Sequence, residues 1–205
     1  MAPAPTDGGA RRVEFFFDIG SPAAYLAATQ LPRLCGECDA ELVWRPMLLG
    51  GVFQATNNRS PSEVLSKGPY MREDLGRFAR RYGVPYVHNT HFPVNTLLLM
   101  RGATALQMHR PERFGAYVEA MFSAMWVEGL DLNDADVVAG ALARAGFDPD
   151  ELVGMAGASE VKERLKQQTQ AAVARGVFGA PTMIVGEQLF WGQDRLDFVR
   201  EALEA

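Results

Sequence analysis

The sequence has little of what marks several whole classes of protein. Two cysteines among 205 residues cannot build a disulfide scaffold, which favours a reducing cytoplasm. Lys and Arg total 20 against 25 Asp and Glu, a formal charge of -5, so no positive field attracts nucleic acid or an anionic membrane. No apolar run reaches the ~18 residues of a membrane-spanning helix. We expect 1–12 to be a loose leader, since it lacks the apolar stretch of a signal peptide.

Arrangements that bind a metal or a phosphate are also missing. Of the three histidines, His88 and His91 are close in sequence, but they lie in an expected loop with no adjacent acidic ligand. We therefore expect no metal site, and no glycine-rich phosphate loop is present. A cluster of arginines is spread around one helix without interleaved aromatic residues, which is typical of a solvated face: Arg72, Arg77, Arg80 and Arg81.

The first ordered part of the chain has the pattern of a β-α-β unit. Residues 13–17, with three successive phenylalanines, predict a strand buried on both faces, as in a parallel sheet. Ser21 and Pro22 are typical of a helix start, because serine caps and proline tolerates the first turn. We expect Pro32 to kink or end that helix. A second strand follows at 41–44.

Helical periodicity fills the middle of the chain, and strand periodicity returns in the tail. Strands are expected at 181–185 and 188–191, and 192–194 open a terminal helix. The order β-α-β, helical block, β-β-α predicts a thioredoxin-like α/β fold with a large all-helical insertion. We expect 12–52 and 176–205 to form the thioredoxin-like domain, and 53–175 the inserted helical domain.

Cys35 and Cys38 have the spacing of a redox pair, but not its usual position. A reactive C-x-x-C lies at a helix N-terminus, where the macrodipole stabilises a thiolate. Here the pair follows the first helix, beside Gly36, which we expect to end it. The place of the reactive sulfur is held by Ser21, and Ala24 stands where a resolving cysteine would be. Two incidental thiols explain the pair better than a redox or metal role.

Two further segments could complete a site near Ser21. Ala180-Pro181 precedes a strand, where thioredoxin-like proteins hold a cis-proline facing a helix N-terminus; a trans-proline at a strand start is the alternative. Trp191 to Asp194 place backbone donors and a carboxylate at another helix start, which suits an α-amino acid group. A simple serine cap and a simple aspartate cap remain open alternatives.

The combination of these motifs resembles a known family. Residues 16–27, with Arg45-Pro46, Gly50 to Phe53 and Asn58, resemble the 2-hydroxychromene-2-carboxylate isomerases and the related kappa-class glutathione transferases. Residues 92–96, 177–182 and 190–195 extend the resemblance to nearly the whole chain after the leader. It implies a DsbA-like thioredoxin fold, glutathione as cofactor, a small aromatic substrate and a homodimer.

The resemblance also implies roles for individual residues. Ser21 would be catalytic and would donate a hydrogen bond to the glutathione sulfur. Glutathione contacts are implied for Asn58, Lys67, Ala180, Pro181, Trp191, Gly192, Gln193 and Asp194. Asn95 would line the substrate pocket. The expected reaction isomerises a 2-hydroxychromene-2-carboxylate to a trans-o-hydroxybenzylidenepyruvate in aromatic degradation.

The chain departs from the family pattern beside the expected substrate site. Asn57 stands where the isomerases have glycine, and Phe53 or Gln54 lies nearest to the place of a substrate-contacting lysine. A carboxylate bound there would need its countercharge from Lys67 or Arg101. Three other functions stay open: a kappa-type transferase or peroxidase, a disulfide oxidoreductase using the cysteine pair, and a non-catalytic thioredoxin-like module.

Overall fold

The computed structural model describes residues 11–205 and confirms the expected mixed sheet. Strands β1 (Arg12–Phe17), β2 (Glu41–Pro46), β3 (Thr182–Val185) and β4 (Gln188–Trp191) lie in the order β2-β1-β3-β4. β1 pairs parallel with β2, with Phe15 opposite Trp44, and antiparallel with β3, with Phe15 opposite Met183. β3 and β4 form a hairpin. The expected leader lies outside the described residues up to position 10.

Helices surround this sheet and fill the middle of the chain. Their bounds are α1 (Pro22–Glu37), α2 (Leu49–Thr56), α3 (Gly68–Tyr82), α4 (Leu97–His109), α5 (Pro111–Trp126), α6 (Ala135–Arg144), α7 (Pro149–Gly157), α8 (Ser159–Ala174) and α9 (Leu196–Glu204). Short 3-10 turns occupy Pro61–Glu63 and Gln193–Arg195. The architecture is the thioredoxin-like α/β fold with a helical insertion that the order of patterns predicts.

The central strand β1 is buried on both faces, as its phenylalanines predict. Phe15 and Phe17 have no exposed surface and pack edge-on against Trp44 of β2. Glu14 is the buried charged residue of this strand. Its carboxylate pairs with Arg45 at 2.6 Å and with Arg175 at 2.7 Å, so the charge is not buried alone.

Two expectations about the end of α1 are wrong. Pro32 lies inside α1 and does not end it, since the helix continues to Glu37; a kink at Pro32 stays a prediction. The proline lacks an N–H group, but burial of Leu31, Leu34 and Cys35 on the face toward the core offsets the lost backbone bond. Gly36 does not end the helix either, because Cys38 is the C-cap residue.

The main hydrophobic core runs through the sheet and the insertion. It joins Phe15 and Phe17 of β1 to Phe122 and Trp126 of α5. A smaller second cluster contains Phe16 of β1 and Ala172 of α8. The boundaries 12–52, 53–175 and 176–205 stay a prediction. Among residues 11–205, no helix is long and apolar enough to cross a bilayer.

Candidate active site

Ser21 is the N-cap residue of α1, as the sequence predicts. Its backbone is extended, with φ -98° and ψ 114°, and its Oγ accepts a hydrogen bond from the Ala24 N–H at 3.1 Å. The hydroxyl donates its proton to the Ala180 carbonyl at 3.0 Å. The residue is only 5% exposed. Ser21 therefore lies at the positive end of the α1 dipole, with its hydroxyl held between the first turn of α1 and the Ala180 carbonyl.

The Ala180-Pro181 peptide bond is cis, as expected for this position. Its segment lies directly against Ser21, which answers the open question of a trans-proline at a strand start. The Pro181 carbonyl accepts a hydrogen bond from the Gly192 N–H at 3.0 Å. Segments 180–181 and 192 thus reach the start of α1 from one side. A second cis bond, Phe92-Pro93, was not expected from the sequence.

The turn that precedes Ser21 is held by the helical insertion. The Trp126 indole N–H donates to the Ile19 carbonyl at 2.8 Å, and the Ile19 N–H donates to the Met100 sulfur at 3.3 Å. A Cβ on Gly20 would lie 2.9 Å from the Thr96 methyl group. These contacts from the insertion therefore hold the turn before α1 in place.

Asp18 is a buried carboxylate beneath this turn that the sequence analysis did not single out. It accepts hydrogen bonds from the N–H groups of Gly20 and Leu49, both at 2.8 Å, and from the Thr96 hydroxyl. Burial raises its pKa above the ordinary value despite these donors. Asp18 joins the starts of α1, α2 and α4. A lone acid at the end of an apolar strand was the signal that could have found it.

An aromatic pair lies beside the cis bond. The Phe178 and Trp191 rings are 5.1 Å apart, and Trp191 is 43% exposed. A Cβ on Gly179 would lie 2.6 Å from the Trp191 indole nitrogen, so the indole packs directly on that backbone. The Asn58 amide donates to the Phe178 carbonyl at 2.9 Å. These contacts connect Asn58 and Trp191 to the segment that contains Ala180.

Residues 192–195 form the other expected binding segment. Gly192 has φ +112°, a conformation that favours glycine. The Gln193 carbonyl accepts a hydrogen bond from the Tyr82 hydroxyl at 2.6 Å. Burial, together with the charges of Asp197 and Asp194, raises the pKa of Tyr82 to about 12, so it stays a donor. The Asp194 carboxylate pairs with Arg195 at 2.9 Å and faces solvent.

The remaining expected residues lie outside the set of contacts around Ser21 described above. Lys67 is exposed before the first turn of α3, and no contact among the described residues joins it to the Ser21 cluster. Asn95 is exposed before α4, where its side-chain oxygen accepts from the Leu97 N–H. Phe53 is partly buried on α2. Gln54 lines a separate cleft beside α2.

The cysteine pair lies at the C-terminal end of α1, away from the Ser21 site. Both thiols are free and buried. Burial, with the neighbouring Cys38, raises the pKa of Cys35 to about 11, so this thiol stays protonated at neutral pH. The Arg200 guanidinium approaches the Cys38 sulfur at 3.8 Å. This environment does not suit a reactive thiolate at Cys35.

The histidines differ in one respect from expectation. His91 has an acidic neighbour after all, since its Nδ1 lies 3.3 Å from an Asp131 oxygen across a fold contact the sequence does not show. Burial and the charge of Arg72 lower the pKa of His88. Within residues 11–205, no group of three His, Cys, Asp or Glu side chains is placed to hold a metal ion.

Comparison with known proteins agrees with this geometry. A family model described as a DSBA-like thioredoxin domain matches residues 12–204. The 2-hydroxychromene-2-carboxylate isomerase of Sphingobium xenophagum is 33% identical over 195 residues, spanning 94% of this chain and 98% of that protein. The chain belongs to this isomerase family. A solved 2-hydroxychromene-2-carboxylate isomerase superposes with a TM-score of 0.82 at 30% identity, covering 94% of each chain.

More distant relatives widen the family context. Human glutathione S-transferase kappa 1 is 27% identical over 219 residues, spanning 99% of this chain and 93% of that protein. A probable DsbA oxidoreductase from Streptomyces coelicolor superposes with a TM-score of 0.72 at 17% identity, covering 94% and 88% of the two chains. The second likeness shows the shared fold alone.

Proposed function

We propose that this protein is a glutathione-dependent isomerase of 2-hydroxychromene-2-carboxylate-type substrates, with trans-o-hydroxybenzylidenepyruvate-type products in aromatic degradation. The observation that carries the proposal is the Ser21 hydroxyl at the α1 N-terminus, 3.0 Å from the Ala180 carbonyl. Family membership supports isomerase chemistry. The absence of a sulfur from this position in the sequence, with Ala24 one turn on, argues against dithiol exchange at the same place.

The residues around Ser21 fit glutathione. Helix geometry leaves the Ala23 N–H without a partner inside α1, and the dipole there favours an anion such as a thiolate. The Ala180 carbonyl is an acceptor suited to the backbone N–H of an extended peptide. The Gly192–Asp194 segment offers backbone donors and a carboxylate for an α-amino acid group. We assign Asn58, Trp191 and Gln193 to the same cofactor, and Lys67 to its carboxylate end.

Ser21 has one task in this site. When bound, glutathione would supply a thiolate nucleophile that adds to the carbon–carbon double bond of the substrate, allows rotation about the resulting single bond, and leaves unchanged as the double bond re-forms. Because the Ser21 Oγ accepts from Ala24, its single proton is the group that can reach the sulfur. In this structure the hydroxyl donates to the Ala180 carbonyl. A peptide N–H on Ala180 would compete for that carbonyl and favour rotation of the hydroxyl toward the sulfur, which couples cofactor binding to thiolate stabilisation.

Residues of the insertion would orient the substrate and keep water away. Trp126 and Met100 hold the turn before Ser21 from the side of the insertion. We assign Phe53, Gln54 and Asn95 to the substrate side, as the family resemblance implies. We also propose that the protein is a homodimer and that it works in the cytoplasm. Size-exclusion chromatography with light scattering tests the dimer directly.

A spectral assay of chromene opening tests the proposal. We expect no enzymatic opening without glutathione, and full conversion of the substrate when glutathione is present at far less than one equivalent. Conversion that stops at one equivalent would instead show a transferase, the alternative that the kappa-class relatives favour. Equal rates with and without glutathione would contradict both.

A further inference from the structure

A cleft of about 800 Å³ opens between α2, the start of α4 and α8. Its volume is in the range of small-molecule sites. None of the residues assigned above to glutathione lines it, whereas Gln54 does. One wall is apolar and consists of Leu48, Leu97, Leu165, Val173 and Ala174.

The lining of the same cleft also carries an excess of positive charge. Arg101, Lys162 and Lys166 line the cleft together with Glu163. Glu163 lies 3.7 Å from Lys166 and partly neutralises it. Over residues 11–205, neither Arg101 nor Lys162 forms a salt bridge. The cleft therefore combines apolar side chains with two cations, Arg101 and Lys162, that have no ion-pair partner within residues 11–205.

Arg101 shows a more specific sign of a missing ligand. Its Nε atom is buried and has no hydrogen-bond partner. A buried donor without an acceptor is destabilising, so an acceptor on a ligand here would recover part of that cost. The guanidinium has the planar fork that binds a carboxylate through two parallel hydrogen bonds.

The cleft begins beside the turn that holds Ser21. Leu97 follows Thr96, whose methyl group packs on Gly20. Arg101 is one helical turn farther along α4, a rise of about 6 Å.

We propose that this cleft binds an aromatic carboxylate, with Arg101 as the ligand of the carboxylate and Lys162 as a supporting charge. That this ligand is the substrate rests on the proposed function; the binding itself does not. Of the two cations that the sequence offers as countercharge, Arg101 lines the cleft and Lys67 does not. Arg101 replaces, from another element, the lysine that is missing from α2.

Isothermal titration with trans-cinnamate and with neutral cinnamyl alcohol tests the site without glutathione. The wild type binds cinnamate more tightly than the alcohol. R101Q weakens cinnamate binding by roughly 10- to 100-fold, as the loss of a charged hydrogen-bonded partner predicts, and leaves alcohol binding unchanged. K162Q weakens cinnamate binding severalfold. R164Q, the same charge change on an exposed residue of α8 that does not line the cleft, has no effect.

Three results would overturn the proposal: no cinnamate binding to the wild type, equal binding to R101Q, or equal losses in R101Q and R164Q. Circular dichroism checks each variant's fold. If R101Q does not fold, R101K decides, because it keeps the charge but loses the fork, and an unchanged affinity refutes the assignment. Titration of the same protein with glutathione separates the proposals. If glutathione does not bind while cinnamate does, the cofactor assignment is refuted and the proposal for the cleft is not.

Discussion

Replacement of Ser21 by alanine removes one hydrogen bond to the thiolate but leaves the α1 dipole in place. A hydrogen bond to a charged group is worth about 1.5–3 kcal/mol, and one pKa unit corresponds to about 1.36 kcal/mol. We therefore expect the pKa of bound glutathione to rise by roughly 1–2 units in Ser21→Ala. At a pH below both pKa values the thiolate fraction, and with it the isomerisation rate, would fall by about 10- to 100-fold, and the fall shrinks as the pH rises above the wild-type value.

A pH titration of the thiolate's ultraviolet absorbance, with glutathione saturating the protein, measures this shift directly. The variant also loses an N-cap, which costs about 1 kcal/mol of stability. Asp134→Ala is the matched control, since the Asp134 side chain caps α6 far along the chain by accepting from Asp136 and Val137. The control should lose similar stability with no change in the thiol pKa. An unchanged thiol pKa in Ser21→Ala would refute the reasoning.

Other substitutions test separate parts of the account. Gly179→Ala places a Cβ 2.6 Å from the Trp191 indole nitrogen, so we expect severalfold weaker glutathione binding by titration, whereas Gly154→Ala, with open space around it, should not weaken it. Cys35→Ala should keep full isomerase activity, because burial raises this thiol's pKa to about 11; lost activity would restore a redox role. Asp18 has a raised pKa in the fold, so its contribution to stability is complete below its unfolded pKa and is lost as pH rises through the folded pKa. Urea unfolding should show Asp18→Asn gaining on the wild type as pH rises, and a constant difference would contradict this.

The sheet and most helices could be predicted because their signals are local. Residues 188–191 form β4 as expected, and the Ser21 cap and the cis bond at Ala180 follow from chemistry within a few residues. Short helices such as α2 and α7 carry little periodicity, so the sequence does not delimit them. Pro32 does not end α1, because tertiary burial of the α1 face outweighs one lost backbone bond.

The contacts that hold the turn before Ser21 could not be predicted, because they join distant parts of the chain. Trp126 reaches Ile19 across 107 positions, and Met100 reaches it across 81. Both side chains are buried in the core, but no sequence pattern indicates which turn a core residue holds. The unpaired Arg101 nitrogen is likewise visible only when α2, α4 and α8 lie together.

A crystal structure of this protein with glutathione tests the central claim most directly. The account predicts the glutathione sulfur within hydrogen-bond distance of the Ser21 Oγ, and a glutathione backbone N–H on the Ala180 carbonyl in place of the Ser21 hydroxyl. A sulfur placed near Cys35 and Cys38, or a tripeptide bound away from the start of α1, would contradict it.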